Sequence, residues 1–197
     1  MPCSENFGAE VEARWRLVET AWELNVSSNL LTVRHDPETE RLFVDEESRR
    51  KDVTSCRDAL NGYQKGKCFY CYDNISVQSG SPFLTEVDHF FPHVLSRRVS
   101  EVMTEPIDGV WNLVLACSHC NGMSEKGAKV PTRGLLQRLD RRNEYLIESN
   151  HPLKETIILQ TGKSPKIRGD FLDRIWNKAT RHLLFNWEPE AKGDPTF

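Results

Sequence analysis

Cys68-Phe69-Tyr70-Cys71, Asp88-His89-Phe90-Phe91-Pro92, Trp111-Asn112-Leu113-Val114-Leu115-Ala116 and Cys117-Ser118-His119-Cys120-Asn121 carry most of the information in this chain. Two thiolates separated by two residues form a knuckle that takes two corners of a tetrahedron. Two such knuckles complete a four-cysteine set, and a complete set leaves no position open for chemistry. Cys68, Cys71, Cys117 and Cys120 therefore read as a structural zinc site. Chemistry must come from what the metal holds in place. A carboxylate followed at once by an imidazole, Asp88-His89, suits a metal-and-base unit.

Around these stretches the apolar spacing predicts the remaining elements. Val11, Trp15, Leu17, Val18, Ala21, Trp22 and Leu24 predict a helix over 8–26. Leu30–Val33 and Arg41–Val44 flank the turn residues Asp36-Pro37-Glu38-Thr39 and predict a hairpin. Glu46–Tyr63 reads as a helix, with Val53, Cys56, Leu60 and Tyr63 on one side, broken by Gly62 and Gly66. Leu84–Val87 is extended, Trp111–Ala116 is a second strand, and a connection over 93–110 joins them. A short helix opens near Cys120. Helices follow after Pro131, over Leu153–Leu159 and over Asp170–Asn186, with a frayed tail from Glu188 to Phe197.

At 197 residues with 38% apolar and 28% charged side chains, the chain suits one soluble globular domain with an appendage. It has no apolar run of membrane-spanning length and no signal-peptide pattern at Met1–Asn6, so a reducing cytoplasm is expected. Paired cysteines there bind metal more often than they form disulfides. Cys3 and Cys56 read as a terminal thiol and a packing residue. The net charge of −3 argues against strong autonomous nucleic-acid binding. Acidic residues crowd the first fifty positions, whereas Arg97-Arg98, Lys126-Lys129-Arg133 and Arg138-Arg141-Arg142 gather later as a candidate phosphate-binding face. Charge runs are more often solvated faces, and the five tryptophans are more often core than stacking platforms.

The order C-x-x-C, Asp-His, Asn, C-x-x-C-Asn resembles the HNH endonuclease family over roughly sixty residues. The nearest pattern is the zinc-stapled subgroup that includes endonuclease VII-type junction-resolving enzymes of phages. Gly62-Tyr63-Gln64-Lys65-Gly66-Lys67-Cys68 is also similar, more weakly, to HNH segments of helicase-containing and defence-associated bacterial proteins. The resemblance implies an α+β fold: a ββα-metal core over 66–130 with its four-cysteine zinc site. An N-terminal helical and hairpin region (1–65) and a C-terminal helical region (131–197) flank it.

The resemblance also implies a candidate catalytic set of His89, Asp88, Asn112 and Asn121. His89 would be the general base. Asp88 and Asn121 would hold one Mg²⁺ or Mn²⁺, hard ions that keep waters and accept phosphate oxygens. Asn112 would pin the long loop so that His89 is aimed. Lys126, Lys129, Arg97 and Arg98 would contact substrate. The implied reaction is metal-dependent phosphodiester hydrolysis, most simply of DNA; the modest charge together with the weaker likeness suggests a partner that delivers the substrate, such as an ATPase or helicase subunit of a bacterial defence system. Asn121 stands where many family members have histidine, and the 45 residues between Cys71 and Cys117 exceed an ordinary zinc ribbon. The competing expectation is a catalytically inactive zinc-stabilised nucleic-acid-binding or scaffold module. His93 reads as a spare ligand, a substrate contact or a surface residue, and His119 points outward from its knuckle.

Overall fold

The computed structural model describes residues 7–8, 10–12, 14–15, 17–18, 33–46, 49–95, 105, 107–183 and 185–197, and of 44–46 and 49–55 the backbone alone. The chain is α+β. Of the helix expected over 8–26, the described positions between 7 and 18 are helical, and Leu17 is fully buried. The rest of that helix, like Cys3, lies outside the described residues.

β1 (Arg34–Asp36) pairs antiparallel with β2 (Arg41–Glu46), Arg34 opposite Phe43. The first strand thus begins later than Leu30–Val33; residues 30–32 lie outside the described residues. Asp36 closes the turn, Oδ1 accepting from the Glu38 N–H and Oδ2 from the Thr39 hydroxyl, each at 2.9 Å. The single helix expected over Glu46–Tyr63 is two elements: β3 (Arg49–Ser55), antiparallel to β2, and then α1 (Cys56–Gln64). The β-branched Val53-Thr54 suit a strand, and the open edge of β2 offers hydrogen bonds that a helix would leave unmade. Helical spacing holds only from Cys56 on, where Cys56, Ala59, Leu60 and Tyr63 are buried.

Lys65 and Gly66 then take φ of 51° and 70°, turning the chain into the first knuckle. Gln64 ties that turn to the next sheet. Its amide donates to the Lys67 and Leu115 carbonyls at 2.9 and 2.8 Å, and its Oε1 accepts from the Leu115 N–H at 2.8 Å.

β4 (Glu86–His89) and β5 (Leu113–Ala116) form a two-stranded antiparallel sheet, with Asp88 opposite Val114 and His89 opposite Leu113. Trp111 and Asn112, expected to begin the second strand, lie in a 3₁₀ turn over Val110–Asn112. The cause is tertiary. Arg142 is buried and donates to the carbonyls of Val110, Trp111 and Leu113 at 3.4, 3.0 and 2.9 Å, while the Trp111 ring meets Phe171 edge-on at 4.9 Å. α2 (Ser118–Asn121) is one turn long.

β6 (Val130–Pro131), α3 (Arg133–Glu148), α4 (Lys154–Thr161), α5 (Pro165–His182) and β7 (Asn186–Trp187) complete the chain, β6 and β7 pairing in parallel. α5 starts earlier than Asp170 because Ser164 caps it, Oγ accepting from the Ile167 N–H, with Pro165 at its first position. It ends before the β7 pairing. The tail expected to fray is packed instead: the N–H groups of Lys192 and Gly193 donate to the Cys71 carbonyl at 2.9 and 3.1 Å. The Phe197 ring covers Tyr63 and Tyr72, each at 5.0 Å. Burying that ring against the knuckle's aromatic side offsets the entropy of ordering the tail. One hydrophobic core runs from Leu17 through Leu42, Trp111 and Leu139 to Trp187, crossing all three stretches of the chain. No helix among the described residues is long and apolar enough to cross a membrane.

His151, buried between α3 and α4, has its pKa pushed down to about 3, by burial first and then by Arg14 and Arg142. Above the ordinary value of 6.5 both folded and unfolded states are neutral. As pH falls, the unfolded chain takes up a proton that the native state refuses. This contribution to stability is therefore complete above pH 6.5 and lost toward pH 3, at roughly 1.4 kcal/mol per pH unit. His151→Asn, which keeps an acceptor for the Leu153 N–H, is expected to flatten the fall in urea midpoint between about pH 6 and 4. An equally steep fall in the variant would count against this assignment.

Candidate functional site

The first knuckle is built by the turn after α1 and the second by α2. Together they place one Sγ each from Cys68, Cys71, Cys117 and Cys120 within 4.8 Å of one another. The Cys117 N–H points at Cys68 Sγ at 3.4 Å, and the Cys120 N–H at Cys117 Sγ at 3.5 Å. Cys68, Cys71 and Cys120 are fully buried. Hydrogen bonds from the other thiols, Cys120 first, push Cys117 far below its ordinary range, while Cys117 pushes Cys68 and Cys120 up. Four thiols this close do not all ionise without a cation among them. The donor set is that of a closed tetrahedral site and can hold a metal ion such as zinc. Among the described residues it is the one cluster of such donors.

Asp88 and His89 lead to opposite environments, because successive side chains on a strand point to opposite faces. Asp88 is buried beneath Tyr70 and Lys126. The Tyr70 hydroxyl donates to Oδ2 at 2.5 Å, and Lys126 Nζ lies 3.0 Å from Oδ1 and 2.8 Å from Oδ2. Lys126 is itself fully buried and also donates to the His89 carbonyl at 2.7 Å. Burial, then Asp88, pushes the Tyr70 phenol well above its usual range, so it remains a donor. Asn121 does not meet Asp88; its amide donates to Glu86 Oε2 at 2.6 Å.

Asp88 and Asn121, expected to hold one divalent ion together, are each engaged by another side chain. The charge that would draw a divalent cation to Asp88 is already balanced by Lys126, and Asn121 is engaged by Glu86. As arranged, the two side chains do not fit a hard ion. Lys126 is corrected too: expected to contact substrate, it is an interior cation.

His89, at the end of β4, stands on the other side. Its Nε2 lies 3.1 Å from Asp108 Oδ1, and the His93 Nε2 lies 2.9 Å from the same oxygen. The rings of His35 and His93 sit 5.7 and 5.4 Å from the His89 ring. Burial, then His89, lowers the His35 pKa to about 4, and neither of its ring nitrogens has a hydrogen-bond partner among the described residues. Asp108 is half-exposed, and the bond from His89, ahead of the charges of His93 and His35, holds it below the usual carboxylate range.

Asn112 binds the connection between the strands at both ends. Its Oδ1 accepts from the Phe91 N–H at 2.8 Å, and its Nδ2 donates to the carbonyls of Phe91 and Ile107 at 3.0 and 2.8 Å. The loop carrying Asp108 is thereby held against the strand end carrying His89.

Of the remaining basic residues, Arg97 and Arg98 lie outside the described residues. Lys129 Nζ donates to the Ser124 carbonyl at 2.9 Å. Arg138 donates to the Phe69 and Tyr70 carbonyls at 2.5 and 2.8 Å, and Arg142 is the buried clamp of the 3₁₀ turn, so both serve the fold. Asp108, His35, Glu86 and Tyr70 were not singled out from sequence. Asp108 gives only the weak signal of an acidic residue shortly before Asn112, and His35 gives none.

No family profile, curated protein or solved structure matches this chain.

Proposed function

We propose that this protein is a zinc-stabilised endonuclease of the HNH type that hydrolyses phosphodiester bonds in nucleic acid, DNA in the first instance. What supports this is the environment of His89. An imidazole at the end of a strand lies beside a carboxylate, on a hairpin tied to a four-cysteine cluster, with its loop clamped by Asn112. A neutral imidazole carries a lone pair on one ring nitrogen and can take the proton from a water attacking phosphorus. As the water oxygen bonds to phosphorus the P–O3′ bond breaks, the 3′ oxygen takes a proton from solvent to leave as a 3′ hydroxyl, and a 5′-phosphate product remains. No step is routed through an ion at Asp88, whose charge Lys126 balances.

With Lys126, Arg138 and Arg142 committed to interior contacts, fewer cations are free to hold a polyanion than composition suggests. This favours a partner protein, such as an ATPase or helicase subunit, that delivers the substrate. It is equally the observation that favours the second reading, a non-catalytic binding or scaffold module.

The test is cleavage of supercoiled plasmid and single-stranded DNA, with and without Mg²⁺ or Mn²⁺, wild type beside His89→Ala. The variant is expected to lose roughly 10²- to 10⁴-fold in rate with zinc content and melting temperature unchanged. Equal cutting by both proteins removes His89 as the base. Rapid cutting by the isolated wild type argues against the delivery partner.

A further inference from the structure

We infer that Asp108 is the positioning carboxylate of His89, fixing the tautomer protonated on Nε2 and leaving Nδ1 as the proton-accepting atom. This rests on the hydrolase reading for its consequence, but its geometry stands alone. A carboxylate offers no hydrogen to a partner, so the atom facing Asp108 Oδ1 at 3.1 Å must be an N–H donor. In a neutral imidazole the other nitrogen then carries the lone pair, and Nδ1 of His89 has no hydrogen-bond partner among the described residues. Asp108 remains ionised because His89 and His93 both bond its Oδ1.

The other charged and titratable groups around His89 do not compete for this role. His35, on the buried side from β1, makes no hydrogen bond through either nitrogen among the described residues. Lys126 reaches the His89 carbonyl, Asp88 and the face of the Tyr70 ring, behind the strand. His93 shares Oδ1 and so holds Asp108 from its far side. Asn112 completes the device through the Ile107 carbonyl, since it anchors the residue beside Asp108 to the strand end beside His89. Orientation of a general base by a carboxylate on its second nitrogen is a recurrent arrangement, and losing it misdirects the lone pair without removing the base.

Asp108 is half-exposed and its described ion pairs are with His89 and His93, so Asp108→Asn is expected to fold with unaltered melting temperature and zinc content. The decisive measurement is the pair of ¹⁵N imidazole shifts of His89 in the zinc-loaded full chain. Wild type is expected to show the Nε2-protonated form, and Asp108→Asn a mixture of tautomers, because an amide can donate as well as accept. On DNA the variant is expected to lose about 10²-fold in kcat with KM unchanged, and Asp108→Glu to recover part of it.

An unchanged His89 tautomer in Asp108→Asn overturns the assignment, as does a shifted tautomer with full kcat. The spectrum reports the contact whether or not a cleavable substrate is in hand. A wild type that cuts no DNA by itself leaves the Asp108 result to stand on the spectrum, and the hydrolase reading fails when cutting is absent with the delivery partner present as well.

Discussion

Stripping the metal from the four-cysteine site, or replacing Cys68 with Ser, is expected to unfold the hairpin core rather than loosen it. The reason lies in the shortness of the elements that carry and adjoin the two knuckles. α2 is four residues long, and each strand of the β4–β5 pair is four residues long. Neither a single helical turn nor an isolated two-stranded ribbon is stable in water. A structural zinc site contributes roughly 10–16 kcal/mol of apparent folding free energy at pH 7. That is as large as the whole stability of an ordinary domain, about 5–15 kcal/mol. Treatment with a strong chelator should abolish near-ultraviolet circular dichroism from the buried Trp111 and Tyr70, and added Zn²⁺ should restore it. A chelated protein that keeps its tertiary signal and melting temperature would show that the cysteine cluster is dispensable packing.

Lys126→Met should be the most damaging substitution away from the cysteines. It removes the cation from a buried carboxylate, leaves Asp88 with Tyr70 as its one described donor, and frees the His89 carbonyl. Breaking one side of a buried pair costs about 3–5 kcal/mol, whereas removing both charges is often close to neutral. The double variant Asp88→Asn/Lys126→Met should therefore recover most of the urea midpoint that the single variant loses. A Lys126→Met protein as stable as wild type would mean that water reaches Asp88 and that the pair is not truly interior. Loss of the Lys126 bond to the His89 carbonyl should also loosen the strand end that presents the base.

What could be read from the chain was what the chain writes locally. The knuckles, the Asp88-His89 pair and the stretch around Asn112 are short stretches of diagnostic residues, and helical spacing in α3 and α5 survives because packing reinforces it. Errors arose where a partner outside the window decided the outcome. The edge of β2 recruited Arg49–Ser55 as a strand, Arg142 drew three carbonyls inward to make a 3₁₀ turn, and the knuckle's aromatic side captured Phe197.

The site divides the same way. Donor chemistry and the cysteine spacing belong to the residues themselves and follow from thiolate and imidazole properties wherever the chain goes. The pairing of those donors does not. Asp88 and His89 are neighbours in sequence, yet the pleat of β4 sends one to an interior lysine thirty-eight positions away and the other to a carboxylate nineteen positions away. Which charge balances Asp88, and which oxygen orients His89, are contacts between distant segments. They exist only once loop closure by Asn112 and burial of Lys126 have brought those segments together, and no local periodicity encodes them.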